Sequence, residues 1–310
     1  MKASVRGAKQ GLHQALDWGR LVPLRVKARK VADGVYAGVH RSARRGTGVE
    51  FGGHRPYVPG DDLRWLDRHA LMRHGRLVIR EFETETDRAL RLVIDATASM
   101  AYRSPDGAAA KLAYSALVAA ALARIALAGG DPVALGWIGG HNCRSLPVTG
   151  GREAFDRLVG ALEDANAGGD LDSNPRLLDR ALGPVGQYAR RGTVVVVLSD
   201  LLDLPSDAPQ RLCALATRGR TVVLVRILDP VEARFSLDGP LRLRASEGGV
   251  VVETDGAAAR AGYLAALDGV VEALAERLVP RGGRVVCAET SDDPVDVVRR
   301  ILGAVGGQAW

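Results

Sequence analysis

Cysteine is scarce. The chain of 310 residues has three, Cys143, Cys213 and Cys287, all far apart. No pair has the close spacing of a zinc knuckle, and an odd count argues against a secreted disulfide framework. They are expected to be small buried apolar residues. The opening MKASVRGAKQGLHQALDWGR has basic residues but lacks an apolar segment, so it does not read as a signal peptide. GxxxxGK[ST] occurs nowhere, which excludes a P-loop ATPase. There is no internal repeat and no low-complexity tail. One stretch, AAAKLAYSALVAAALARIALAGG at 108–130, has roughly membrane-spanning length. Its alanine content, with Lys111 and Arg124 in its body, predicts a core helix instead. With no export or membrane signal, the expected location is cytoplasmic.

What is present is unevenly charged. Residues 1–90 hold 18 of the 42 basic and 10 of the 36 acidic side chains, a net of +8, and residues 91–310 carry a net of −2. Clusters such as RVKARK (25–30) and HRSARR (40–45) suit an acidic surface or nucleic acid. A solvated helix followed by a basic loop is the simpler reading, and no nucleic-acid partner is expected.

From residue 90 onward two kinds of segment alternate. LRLVID (90–95), VALGWI (133–138), TVVVVLS (193–199), TVVLVRIL (221–228) and RVVCAET (284–290) are short, continuous apolar runs. Such runs suit strands buried on both faces of a mostly parallel sheet. Helical spacing marks 108–128, 152–165, 175–190, 206–218, 258–279 and 294–304, with stops at Gly129-Gly130 and Gly282-Gly283. The pattern predicts a doubly wound α/β domain over 90–305. Residues 1–89 read as a basic extension: an amphipathic helix in 1–40, the turn VPGDDL, and the half-exposed strand RLVIREFETE. Residues 306–310 are a tail.

In doubly wound sheets ligands gather at the carboxyl ends of strands. LRLVID ends in Asp95, and Thr97 and Ser99 alternate after it. One carboxylate with two hydroxyls fits magnesium or manganese, which take oxygen ligands and keep several waters. Zinc would want His or Cys, and the loop has neither. TVVVVLSD ends in Asp200, with Asp203 close by, and GGDLDSNP (168–175) offers Asp172 and Ser173, each also a plausible helix cap. His54, His69 and His74 lie among acids but without ligand spacing, so no catalytic residue is expected.

DATASM resembles the Asp-x-Ser-x-Ser motif of the metal-ion-dependent adhesion site of von Willebrand factor A domains, with Thr97 at the first hydroxyl position. RRGTGVEF, RPYVPGDDLRWLDRHALMRHGRLVIREFETE, SDLLD, ILDPVE and the closing YLAALDGVVEALAERLVPRGGRVVCAETSDDPVDVVRRIL resemble the bacterial family called domain of unknown function 58, over roughly residues 35–305. Two positions depart from the family pattern. Arg68 follows Asp67 where members have Trp, and GGDLDSNP replaces the Gly-Gly-Thr ligand loop, making Ser173 the candidate for the lost Thr.

The resemblance implies a von Willebrand factor A-like fold and a partner among the MoxR-type AAA+ ATPases, beside which members are often encoded, with an unknown client. Many members carry two membrane-spanning helices near the N-terminus, and this chain resembles the shorter soluble branch. The expected metal set is Asp95, Thr97, Ser99, Ser173 and Asp200. Asp61, Asp62 and Arg64 read as a structural turn or a partner-binding edge. The expected function is a metal-dependent interaction module rather than an enzyme. The alternative is a metal-dependent phosphoesterase using Asp95 and Asp200.

Overall fold

The computed structural model of the protein describes residues 23–37, 50–56, 72, 75, 77–83 and 88–305, except 106, 152, 172, 203 and 247–250. Of 50–56 and 78–83 only the backbone course is described. In chain order the elements begin with α1 (Leu24–Ala37), β1 (Glu50–Pro56), β2 (Val78–Glu83), β3 (Leu90–Asp95), a 3-10 turn (Ala98–Ala101), α2 (Lys111–Ala128), β4 (Val133–Ile138) and β5 (Leu146–Thr149). They continue with α3 (Ala154–Asp164), α4 (Arg176–Tyr188), β6 (Val194–Ser199), α5 (Ala208–Leu215), β7 (Thr221–Leu228) and α6 (Pro230–Arg234). The hairpin β8 (Pro240–Arg244) and β9 (Val251–Asp255) follows, then α7 (Gly256–Leu278), β10 (Arg284–Glu289) and α8 (Pro294–Ala304).

The main sheet has six strands in the order β10-β7-β6-β3-β4-β5. All its pairings are parallel except that of β5, which runs antiparallel at one edge. The apolar runs become strands because both faces are covered: all six residues of β6 are buried. Leu90, Leu92 and Ile94 face one core with α1, α2, α3 and α8. Val93, Val195 and Val197 face the other, with α4, α5 and α7. This is the expected α/β architecture. The chain leaves β3 toward β4 and β5, then returns to the other side of β3 as β6. The carboxyl ends of β3 and β6 therefore flank the point where strand order reverses, where such sheets open a crevice.

α2 is the apolar stretch predicted to be a core helix. It is long and apolar enough to cross a membrane, and 83% of it is buried inside the fold. Sheet and helices surround it, which accounts for apolar residues on every side. It stops at Gly129-Gly130: Gly130 has φ +89°, and the Asp131 amide reaches back to the Ala126 carbonyl at 2.9 Å, the six-to-one bond of a glycine-terminated helix. α1 belongs to the same core through Leu24, Ala28, Val31, Ala32 and Val35.

Three details differ from the sequence expectations. The cysteines are all free, but only Cys213 is buried, and Cys143 and Cys287 are half-exposed. β10 alternates in burial because it is an edge strand. The β8–β9 hairpin carries no sequence prediction, because its alternating Arg and Leu face largely outward.

Candidate functional site

Asp95 ends β3 where the pairing with β6 also ends, opposite Ser199. Asp95 and Thr97 are each 1% exposed, so the chain must satisfy their polar atoms itself. Asp95 Oδ1 accepts from the Thr97 amide at 2.9 Å and from the Thr97 hydroxyl at 2.7 Å. Its Oδ2 accepts from the Ser199 hydroxyl at 2.6 Å. Thr97 Oγ1 and Ser99 Oγ are 3.2 Å apart.

Two further loops hold this one. The Ala96 amide bonds to Ile138 O at 2.8 Å, Gly168 N to Ala96 O at 2.8 Å, Gly140 N to Gly168 O at 2.7 Å and Ala98 N to Gly169 O at 3.0 Å. Gly140 has φ +83°, and a Cβ there would collide with Cys143 Sγ and Ala96 Cβ. Both constraints demand glycine.

Asp200 follows Ser199 and is also buried. Its Oδ1 accepts from the Leu202 amide at 3.1 Å, and its Oδ2 from Lys111 Nζ at 2.8 Å. Leu201 between them sits in the left-handed region at φ +57°. This is a strained conformation for a branched residue, and the Ser199 hydroxyl helps hold it by accepting the Leu201 amide at 3.0 Å. Lys111 also donates to Glu232 Oε1 at 2.8 Å.

Electrostatics at the strand ends follow from burial. Burial pushes the Asp95 carboxyl up to about 7; the nearby charge of Asp200 adds to this, and the hydrogen bonds from Ser199 and Thr97 oppose it. Burial works to lower the Lys111 pKa, but Asp200 and Glu232 overcome it and hold the ammonium above its usual range. Burial raises Glu232, with Lys111 pulling the other way.

The structure thus brings Asp95, Thr97, Ser99 and Asp200 to one crevice. Ser173 is exposed, and its hydroxyl donates to Asp170 Oδ2 at 2.5 Å. The loop residue whose backbone touches the Thr-Ala-Ser turn is Gly169, so the side chain next in the chain is that of Asp170. Ser199, which donates to Asp95, and Lys111, which bridges Asp200 and Glu232, are side chains at these strand ends to which the motif spacing does not point. Asp61, Asp62, Arg64, Asp172 and Asp203 lie outside the described residues, as do His69 and His74.

Neighbouring ligands on an octahedral magnesium, at 2.0–2.1 Å from the ion, are about 2.9 Å apart. The Thr97 and Ser99 oxygens at 3.2 Å match two such corners, and Asp95 adjoins them. Among the described residues no three His, Cys, Asp or Glu form a metal cluster. The oxygen set is one of hydroxyls with few acids, which fits a hard cation that keeps its waters better than it fits zinc.

The sequence profile of the family described as Protein of unknown function DUF58 matches residues 53–269. An uncharacterized protein of Mycobacterium tuberculosis, Rv1480, is 30% identical over 239 residues, 74% of this chain and 71% of its own length. Among solved structures, the conserved hypothetical protein BatB from Bacteroides thetaiotaomicron is 15% identical, with TM-score 0.43 over 70% of this chain and 98% of its own. A von Willebrand factor type A protein from Catenulispora acidiphila is 15% identical, with TM-score 0.39 over 72% and 44%. An aerotolerance-related membrane protein from Bacteroides fragilis is 15% identical, with TM-score 0.39 over 70% and 98%.

The last comparison corrects the cytoplasmic location expected from the sequence. The Bacteroides fragilis protein is described as a membrane protein, and a Vibrio fischeri protein, 14% identical with TM-score 0.21 over 71% of this chain and 98% of its own, as membrane spanning. A packed α/β core with its apolar helix inside is the same object free or tethered, so the pattern of apolar segments has no power to place it. With most of its length matched by the profile, and a relative matched over about three quarters of the chain, this protein belongs to the DUF58 family and has a von Willebrand factor A-like α/β fold.

Proposed function

We propose that the protein is a metal-dependent interaction module, binding magnesium or manganese through Asp95, Thr97 and Ser99 and using that ion to capture an acidic residue of a protein partner. The observation that carries this reading is the oxygen set at the strand-order switch: two hydroxyls 3.2 Å apart beside a buried carboxylate. Three such groups fill about half of an octahedral shell, and a partner carboxylate can replace one of the remaining waters. The bound ion would supply positive charge at an open coordination position. The chain's own residues orient it: Ser199 and the Thr97 amide fix the Asp95 carboxylate. Asp170, next to Gly169 in the chain, is the loop acid we assign an outer role, in place of Ser173.

The partner proposed is a MoxR-type AAA+ ATPase, on the family resemblance. Basic residues outside the site add a term that salt screens, since the Debye length falls to about 8 Å at physiological ionic strength. A phosphoesterase using Asp95 and Asp200 is less well supported, because the Asp200 carboxylate is already neutralised by the buried Lys111 ammonium 2.8 Å away.

Titration calorimetry with magnesium on wild type and Asp95→Ala tests the metal. Binding is expected for the first and lost in the second, and equal binding by both overturns the assignment. A pull-down with a MoxR-type ATPase from the same organism, with and without chelator and across a salt series, tests the partner. Capture that survives chelation and Asp95→Ala but disappears in modest salt would make the basic surface the interface.

A further inference from the structure

Lys111 stands where elementary electrostatics disfavours a cation. It opens α2, whose amino end carries the positive half-charge of the helix dipole. Its side chain is 0% exposed, and a buried charge is costly unless it is paired. Two carboxylates hold it there, Asp200 and Glu232, each at 2.8 Å from Nζ.

Glu232 is itself fixed. Its Oε2 accepts the Asp229 amide at 3.0 Å in the capping box that starts α6. Asp229 Oδ2 then accepts the amide and hydroxyl of Ser104 at 2.9 and 3.0 Å. Ser104 lies in the segment that leads from the Thr97–Ser99 turn to α2. The chain of bonds therefore runs from the end of β6, through Lys111 and the start of α6, to the segment that follows the candidate metal loop. Every link is side-chain specific, and four of the five residues, all but Glu232, are buried.

We infer that Lys111 is a resident cation that sets how strongly the site takes a divalent ion. By occupying Asp200 it leaves Asp95 and the two hydroxyls as the binding groups, so the ion is held weakly until a partner's carboxylate joins it. The inference rests on the magnesium reading above. Its physical basis is charge. An ammonium and a dication that share one carboxylate repel each other, and in a buried crevice the effective dielectric screens this poorly. Removing the ammonium leaves an uncompensated buried carboxylate, which an arriving ion would neutralise.

The test is magnesium titration calorimetry on the full chain: wild type, Lys111→Met, Lys111→Arg, the double variant Lys111→Met with Asp200→Asn, and Asp95→Ala as the control for the metal itself. Thermal melts in chelator check that each is folded. Lys111→Met is expected to bind at least tenfold tighter, about 1.4 kcal/mol. Lys111→Arg should stay near wild type. The double variant should fall back close to wild type, since it removes one charge of each sign. If Lys111→Met does not fold, Glu232→Gln replaces it. That change leaves the ammonium wholly on Asp200 and should weaken magnesium binding. Unchanged or weaker binding in Lys111→Met, a gain that persists in the double variant, or unchanged binding in Glu232→Gln overturns the role of Lys111. Equal binding by wild type and Asp95→Ala, or binding by no variant, overturns the metal reading and this inference with it.

Discussion

Asp95→Asn should stabilise the metal-free protein while abolishing its metal binding. Asp95 is 1% exposed and its carboxyl is pushed up to about 7, first by burial and then by Asp200. In the unfolded chain the same group titrates near its ordinary value of about 4. The folded state therefore holds the proton more tightly. The stability this contributes is fully present below about pH 4 and is lost as the pH rises through about 7. At 1.36 kcal/mol per pH unit the loss approaches about 4 kcal/mol by pH 8. Asparagine keeps the shape and the acceptor toward Thr97 but carries no charge, so it avoids that loss. A domain of this size shifts its Tm by at least about 2 °C per kcal/mol, which gives a rise of about 8 °C at pH 8 in chelator. At pH 4 the two proteins should melt together. Magnesium narrows the gap: at a hundredfold excess over Kd it stabilises wild type by about 2.7 kcal/mol and leaves Asp95→Asn unmoved, so the difference at pH 8 falls to about 1 kcal/mol. Scanning calorimetry or dye-monitored melting between pH 4 and 8 reads all of this. A Tm difference independent of pH, or a loss of stability in Asp95→Asn at pH 8, would refute the reasoning. It would mean that the bonds from Thr97 and Ser199 hold a charged Asp95 without penalty.

Thr97→Ser should bind magnesium as wild type does, and Thr97→Val should weaken it tenfold or more, because serine keeps the oxygen and valine only the shape; equal affinities by calorimetry would make Thr97 a packing residue. Ser199→Ala removes the 2.6 Å donor to Asp95 and the acceptor for the Leu201 amide, and should cost about 1–3 kcal/mol in denaturant melts. A cost below about 0.5 kcal/mol would show that Ser199 supports neither. Gly140→Ala meets both the positive φ and the contact with Ala96; it should lower stability by about 2 kcal/mol or more and also weaken magnesium binding, and an unchanged melt would show that the loop shifts freely.

The sheet was legible because strands buried on both faces keep no polar alternation. VVVVLS and LRLVID announce themselves as runs, and Gly129-Gly130 as a stop. Asp95, Thr97 and Ser99 were legible because a local turn needs no tertiary information. Lys111 was visible only as a charge arguing against a membrane span. Its purpose depends on Asp200 and Glu232, which lie 89 and 121 residues away and meet it only once β6, β7 and α2 are packed. The hydroxyl of Ser173 marks it as a candidate in the sequence, but its place depends on the loop's register, which the backbone bond between Ala98 and Gly169 sets, and in the fold that hydroxyl is exposed and donates to Asp170.

The same topology explains why a hydroxyl-rich site should also carry a lysine. Asp95, Asp200 and Glu232 bring three negative charges to the crevice, and Lys111 returns one. A divalent ion would return two more, so the set would then be neutral and could accept a partner's carboxylate without repulsion. Without Lys111 the loaded set would keep one negative charge, hold its ion more tightly and repel that carboxylate. On the proposed metal reading, the ammonium would trade affinity for the ion against affinity for the partner. Lys111→Met should therefore move the two in opposite directions, tightening magnesium while loosening an acidic partner.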